Sequence, residues 1–265
     1  MGSNTTRNVT IAALIWGVSN LLSRIIGVVR EAVIGRTLGG GVEADIYWSS
    51  FILPDFLNYL LAGGALSIVF IPIFSKYLSD DNEEAGWKSF SYIANTLVLL
   101  LLVFIPLLWF VFPWIAPQVA PGFTENQLSE VVRLTRIILP AQAFHLLGGI
   151  LGAAQQAKNQ HKYSAIAGLI YTIGIIIGGL VLGTADGFAY GVLLGSFFGP
   201  FLLNWIGAKK VGLRWSFAFS FEHADVRKYI LLSLPIMIGA SIIIAGGCYT
   251  FYRERLTKRK ASTTT

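Results

Sequence analysis

The sequence is poor in charge, cysteine and histidine, and each shortage narrows the possible functions. Only 13% of its 265 residues are charged and 54% are hydrophobic, whereas a soluble domain carries roughly twice that charge. The single cysteine, Cys248, excludes an intrachain disulfide, and the three scattered histidines lack metal-ligand spacing. There is no GxxxxGK[ST] loop and no Ser/His/Asp or paired-carboxylate set. We therefore predict that the protein is not an enzyme and has no cofactor or metal site.

Long apolar runs take the place of these features, and several reach the ~20 residues that a membrane-spanning helix needs. We predict an all-α integral membrane protein with about seven transmembrane helices. Pro113 and Pro117 are expected to end the third of them. The predicted spans cover residues 9–35, 46–74, 89–114, 130–155, 163–183, 188–208 and 229–247.

Glycines recur every four residues in the sixth predicted span, at Gly187, Gly191, Gly195 and Gly199. Gly174 and Gly178 repeat this spacing in the fifth span. Small residues at this interval lie on one helix face and let neighbouring backbones approach closely in lipid. The glycines therefore predict tight helix packing rather than a binding site.

Lysines and arginines are unevenly distributed between the predicted loops. The loops at residues 116–127 and 184–187 contain none. Because cytoplasmic loops are enriched in these residues, we predict a multi-pass protein with its N-terminus in the cytoplasm. The asymmetry also accounts for much of the net charge of +6, so nucleic acid is not an expected partner. The basic residues of the predicted cytoplasmic loops are Lys76, Lys88, Lys158, Lys162, Lys209, Lys210, Arg214, Arg227 and Lys228.

Arg24 and Arg30 lie within, or at the end of, the first apolar run. A guanidinium cannot escape its charge by deprotonation, and at bilayer depth it costs about 3 kcal/mol or more. We therefore expect Arg24 to face a polar cavity that binds a negatively charged ligand. Glu31 shares nearly one helix face with Arg24, so one of the arginines can pair with it. For Arg30 and Glu31 two interpretations remain open: a salt bridge or snorkelling arrangement that only fixes packing, or a role in the cavity.

Polar residues also occur in the second predicted span. Asp55 and Asn58 are three residues apart, share a helix face, and directly follow Pro54, a natural break point. Asp45 lies near the start of the same span, where a carboxylate suits the positive end of the helix dipole. These residues extend the polar set that begins at Arg24.

The same region contains a long motif: SRIIGVVRE at 23–31, glycines from 39 leading to Asp45, LPD at 53–55 and GALSIVFIP at 64–72. Together these segments resemble the MurJ (MviN) family of lipid II flippases, which belongs to the MOP exporter superfamily. Weaker similarity continues as far as Leu213. The resemblance covers most of the chain but only the first half of the family's usual fourteen-helix architecture.

This resemblance implies that residues 1–247 form the N-terminal lobe of a MurJ-like, MOP-type transporter in the bacterial cytoplasmic (inner) membrane. Family members move the undecaprenyl-pyrophosphate-linked peptidoglycan precursor, lipid II, between leaflets, while two lobes rock around a cationic cavity. The implied partners are lipid II or a related polyprenyl-pyrophosphate substrate, membrane lipids, and a C-terminal lobe that a separate polypeptide could supply. Arg24 and Arg30 match motif arginines that face or shape the cavity. Asp45 matches an acid near the outer gate, and Pro54 a helix-bending proline.

Several positions depart from the family pattern. The chain reads PDFLNY at 54–59 where the family usually has PNLLRR, so Asn58 replaces a cavity arginine, and Gly63 replaces a nearby acid. One cation fewer, with Asp55 added, weakens the expected attraction for pyrophosphate. Two alternatives therefore stay open: an inactive membrane remnant, or another MOP transporter such as a polysaccharide-unit flippase or a multidrug antiporter.

The basic tail, residues 248–265, does not fit the charge pattern, because seven spans would place it outside the cell. It resembles the start of the family's eighth helix, in which Arg255 would be the counterpart of another cavity arginine. A truncated eighth helix and a frameshift peptide are both compatible with this sequence.

Overall fold

The computed structural model describes residues 21–62, 66–236 and 238–239, and every regular element within these ranges is helical. The predicted all-α class is therefore confirmed. Two short π-helical segments, Leu66–Phe70 and Phe197–Leu203, lead directly into α4 and α10. The helices are α1 (21–38), α2 (Val42–Ser49), α3 (Ile52–Ala62), α4 (Ile71–Ser79), α5 (Glu83–Val119), α6 (Glu125–Ile138), α7 (Ala141–Ala157), α8 (Lys162–Leu182), α9 (Ala185–Ser196), α10 (Asn204–Lys210) and α11 (224–236).

Four stretches of the described residues are long and apolar enough to cross a bilayer. They are α5, α6 with α7, α8, and α9 through α10, and they correspond to the third to sixth predicted spans. The second predicted span is divided among α2, α3 and α4. The first and seventh predicted spans both extend into residues outside the described ranges.

The predicted end of the third span at Pro113 and Pro117 is wrong. α5 continues through both prolines, and through Pro106, as far as Val119. It also begins at Glu83, six residues before the predicted start at residue 89. Each proline removes one backbone N–H donor, and a long packed helix tolerates this loss when another group takes over the orphaned carbonyl.

The fourth predicted span is not one helix but two, α6 and α7, which meet at Leu139 and Pro140. α6 begins at a capping box: Thr124 Oγ1 accepts from the backbone N–H of Gln127, and the Gln127 side chain accepts from the backbone N–H of Thr124. This cap satisfies two donors that a helix start leaves unpaired. The first turns of α6 therefore have a defined beginning outside the apolar part of the span.

α8 and α9 pack backbone to backbone along the glycine stripe. A Cβ atom at Gly178 would lie 2.3 Å from the carbonyl oxygen of Gly187, and one at Gly174 would lie 2.7 Å from the Cα of Gly195. Side-chain carbons do not occupy such short distances, so only glycine allows this approach. The predicted packing role of these glycines is confirmed.

The chain between α10 and α11 has no regular secondary structure and is held against α5. The side-chain amide of Asn95 donates to the carbonyls of Ser216 and Ala218 at 2.8 and 2.7 Å, and its oxygen accepts from the indole of Trp215 at 2.8 Å. Asn95 is almost fully buried, so these bonds also satisfy its polar atoms in the core. They fix residues 213–220 on the first half of α5.

Candidate functional site

A kink between α2 and α3 shapes the region next to α1. Pro54 lies in the first turn of α3 and has no N–H with which to bond the carbonyl of Ser50, four residues earlier. The hydroxyl of Thr135, from α6, donates to that carbonyl instead, at 3.0 Å. Both Ser50 and Thr135 are buried. α6 therefore fixes the kink through a backbone group that the proline has released.

A cavity of about 330 Å³ lies beside this kink. We call it the Arg30 cavity. Arg30 and Asp55 supply its charged groups, and the phenols of Tyr47 and Tyr171 are its other polar side chains. The remaining lining residues, Trp48, Phe51, Ile52 and Ile175, are aromatic or aliphatic. The Arg30 cavity thus combines a few polar groups with apolar walls, which is typical of a ligand site.

Arg30 is paired with its neighbour in the sequence. Its Nη2 and Nε atoms donate to Oε1 of Glu31 at 2.5 and 3.1 Å. The two side chains are 28% and 48% exposed, and an ion pair of this kind is worth at most about 1 kcal/mol. Nη1 has no hydrogen-bond partner within the described part of the chain. An anion with several oxygens could therefore replace Glu31 at little cost.

The structure brings together some of the predicted site residues and not others. Arg30, Glu31 and Asp55 lie at or beside the cavity, and the buried Pro54 forms the adjoining kink. Arg24 is exposed on α1, about 9 Å from Arg30 along the helix axis, and does not line the cavity. The arginine that pairs with Glu31 is therefore Arg30.

The remaining predicted residues lie away from the cavity or outside the described ranges. Asn58 is half-buried one turn beyond Asp55 and is not a lining residue. Asp45 lies in the first turn of α2, where it is half-buried and engaged in interactions of its own. Arg255 and the rest of the tail fall outside the described ranges.

Sequence reasoning missed the tyrosines of the cavity. Tyr47 is fully buried and packs edge-on against Phe51, with ring centroids 5.0 Å apart. Tyr171 lies edge-on to the imidazole of His145 at 4.8 Å, and His145 Nε2 is 2.9 Å from the hydroxyl of Ser196. A line of contacting polar side chains therefore leads from the cavity into the bundle. A tyrosine within an apolar helix was the available signal, but tyrosines also occur there for packing alone.

Within the described ranges, no group of histidine, cysteine and acidic side chains is arranged to hold a metal ion. The polar groups of the cavity are instead a guanidinium, a carboxylate and phenols. This set suits the recognition of an oxyanion, because guanidinium and phenol groups donate hydrogen bonds to negatively charged oxygens.

The family model described as "Lipid II flippase MurJ" matches residues 34–251. This chain belongs to that family. Among curated relatives, the probable lipid II flippase MurJ of Thermotoga maritima is 29% identical over 184 residues, which cover 68% of this chain and 38% of the relative. The corresponding protein of Rickettsia prowazekii is 28% identical over 227 residues, covering 83% of this chain and 44% of the relative. The chain thus spans less than half the length of these curated relatives.

Solved structures show the same relationship at the level of the fold. A structure of lipid II flippase MurJ in an inward closed conformation superimposes with a TM-score of 0.68 and 22% identity, over 86% of this chain and 47% of that one. A MATE transporter bound to MaD3S gives a TM-score of 0.60 at 12% identity, over 86% and 52%. The predicted MOP-type fold and the resemblance to the N-terminal half of the MurJ family are therefore confirmed.

Proposed function

We propose that this chain acts as the N-terminal lobe of a lipid II flippase and that Arg30 contributes to the binding of the substrate's pyrophosphate. The observation that carries the proposal is the Arg30 cavity, with its guanidinium and aromatic walls, in a member of the MurJ family. The names of the curated relatives support lipid II as the substrate. Flipping makes and breaks no covalent bond, so the proposed activity is transport rather than catalysis.

The chemistry of the cavity fits a pyrophosphate head group. A guanidinium forms bidentate, charge-assisted hydrogen bonds with phosphate oxygens. Glu31 occupies two donors of Arg30, so the substrate must exchange with this carboxylate. Tyr47 of α2 and Tyr171 of α8 also line the cavity and offer further donors. Asp55 lies in the same lining and opposes an anion, so we expect the substrate to bind on the Arg30 side.

The proposal includes a second lobe. Alternating access requires two bundles that move against each other around a central site, and this chain spans less than half of the curated relatives. We propose that residues 1–247 form the first lobe in the bacterial cytoplasmic membrane, with the N-terminus in the cytoplasm and residues 248–265 as a tail. A C-terminal lobe, which a separate polypeptide could supply, would complete the transporter.

Binding of undecaprenyl pyrophosphate to the purified 265-residue chain in detergent tests the role of Arg30. Loss of a charge-assisted hydrogen bond costs about 1.5–3 kcal/mol, so Arg30→Gln should weaken binding by roughly tenfold or more. Arg36→Gln is the matched control, because Arg36 is an exposed arginine of the same helix that does not line the cavity. Glu31→Gln should bind as well as the unchanged chain or better. Equal affinity of Arg30→Gln and the unchanged chain would refute the assignment.

A growth assay tests the need for a second lobe. In a cell depleted of its flippase, this chain should restore growth only when it is expressed with the C-terminal half of a relative. Restored growth from the chain alone would contradict the two-lobe proposal. If both pieces reach the membrane and growth still fails, the inactive-remnant alternative is favoured.

A multidrug antiporter is the second candidate, since Asp55 gives the cavity a carboxylate that could bind a cation. The two functions differ in the expected effect of Asp55→Asn. Removing this negative charge should abolish cation-coupled drug export, whereas it should preserve or strengthen the binding of undecaprenyl pyrophosphate.

A further inference from the structure

A second, larger cavity lies between the C-terminal part of α5, the length of α6, and α9. Its volume is about 740 Å³, and Trp109, Pro113, Val132, Arg133, Arg136 and Tyr190 are among its lining residues. We call it the Arg136 groove. It shares no lining residue with the Arg30 cavity. The proposed transport function therefore leaves it without a role.

The length and composition of α5 indicate that the groove lies near the membrane surface. No charged residue occurs in α5 after Lys88. From Lys88 to Trp109 the helix rises about 30 Å at 1.5 Å per residue, which is the thickness of the hydrocarbon layer. Phe110 and Trp114 follow and are 62% and 72% exposed, as expected of aromatic residues at the lipid–water interface. The groove therefore opens where phospholipid head groups lie.

Arg136 is held in a fixed position in this groove. Its Nε donates to the carbonyl of Trp109 at 3.2 Å, and its Cζ lies 4.2 Å from the centre of the Trp109 ring. Pro113 explains why that carbonyl is available, because proline lacks the N–H that would bond it from four residues later. The two terminal nitrogens of Arg136 have no hydrogen-bond partner within the described ranges. They are a preorganised pair of donors.

The other charges of the groove do not neutralise Arg136. Arg133 is satisfied by two carboxylates: its Nη2 lies 2.6 Å from Oε2 of Glu130, and its Nη1 contacts Asp186. Glu125 lines the groove at the first residue of α6, about 16 Å along the helix axis from Arg136. Arg136 has no salt-bridge partner among the residues that the structure describes.

We propose that the Arg136 groove binds a phospholipid from the adjacent leaflet, with the lipid phosphate on the terminal nitrogens of Arg136. A guanidinium fork bonds phosphate in a bidentate manner, and Trp109, Pro113 and Val132 offer apolar surface to the glycerol and upper acyl chain. A free phosphate would leave that apolar surface unused, so the occupant is a lipid. In the proposed orientation this is an outer-leaflet lipid, although the binding itself does not depend on the orientation or on the flippase activity.

Native mass spectrometry of the 265-residue chain with added phosphatidylglycerol tests the proposal. The unchanged chain should retain one tightly bound lipid, and Arg136→Gln should bind it at least about tenfold more weakly. Arg36→Gln, which removes an exposed arginine outside the groove, should bind like the unchanged chain. Circular dichroism identifies variants that fail to fold.

A second variant and a competition experiment test the groove independently of Arg136→Gln. Val132→Phe fills the groove while leaving Arg136 in place, so it should also lose the lipid. Inorganic phosphate at millimolar concentration should not displace phosphatidylglycerol. Unchanged lipid affinity in folded Arg136→Gln, or displacement of the lipid by inorganic phosphate, would overturn the assignment.

Discussion

The hydrogen bond between Thr135 and Ser50 gives a quantitative test of how the kink beside the Arg30 cavity is held. Thr135→Val keeps the shape of the side chain but removes the donor that serves the Ser50 carbonyl. Both residues are buried, at 1% and 0% exposure, so water cannot replace the donor. An unsatisfied buried carbonyl costs about 1–3 kcal/mol, and we expect the free energy of unfolding to fall by that amount.

Pro54 makes this prediction specific. Pro54→Ala restores the backbone N–H that can bond Ser50 from within α3. In this background Thr135→Val should cost less than about 1 kcal/mol, because the carbonyl retains a partner. The two substitutions should therefore be non-additive, as expected for residues that act on one atom.

Unfolding by sodium dodecyl sulfate in mixed micelles, followed by circular dichroism, measures the four free energies of this cycle. Thr96→Val is the matched control: its hydroxyl donates to the Tyr92 carbonyl, which already has a helical N–H partner, so the effect should be small. The reasoning would be refuted if Thr135→Val lowered the free energy of unfolding equally in the unchanged chain and in Pro54→Ala. It would also be refuted if Thr135→Val had no effect in either background.

Substitutions of Gly178, Asn95 and Tyr77 test three contacts that hold the helices and the 213–220 segment together. Gly178→Ala should destabilise the chain by about 1–3 kcal/mol, measured by the same unfolding assay, whereas Gly168→Ala, which meets open space, should not. Asn95→Leu should speed amide hydrogen exchange in residues 213–220 while the helices stay protected. Burial and a hydrogen bond to a carboxylate of α11 raise the pKa of Tyr77 from 10.0 to about 12. Its contribution to stability is therefore complete below pH 10 and lost as the pH rises towards 12, and Tyr77→Phe should lessen the fall in unfolding midpoint across that range.

The sequence predicts helices best where hydrophobicity alone decides them. The predicted span at 163–183 agrees with α8, Lys162–Leu182, within one residue at each end, because a continuous apolar run has no other stable state in lipid. Prediction from the sequence fails at Pro113, where a proline indicates a helix end. The carbonyl of Trp109, which Pro113 leaves without its helical partner, instead accepts a hydrogen bond from Arg136 on another helix. That donor depends on tertiary structure, which no local pattern contains.

The residues of the candidate site also divide into those that the sequence reveals and those that only the packing of the helices places there. Arg30 and Asp55 stand out in the sequence because charge is rare and costly in an apolar run, and both line the cavity. Arg24 has the same signal but points elsewhere, since helix rotation is set by packing and not by the charge itself. Tyr171 is 141 positions from Arg30 in the sequence and reaches the cavity only through the packing of α8.

α6 connects the two cavities, because it stabilises a proline-containing helix beside each of them by the same kind of hydrogen bond. Thr135 and Arg136 are consecutive residues, and each donates to a carbonyl that a proline on a different helix leaves without its helical partner. Consecutive positions on a helix point about 100° apart, so one side of α6 holds the α2–α3 kink and another holds α5. A rotation of α6 would disturb both bonds together, because neither donor can follow its own carbonyl independently. The geometry of the Arg30 cavity and that of the Arg136 groove therefore depend on the same helix, although they share no residue.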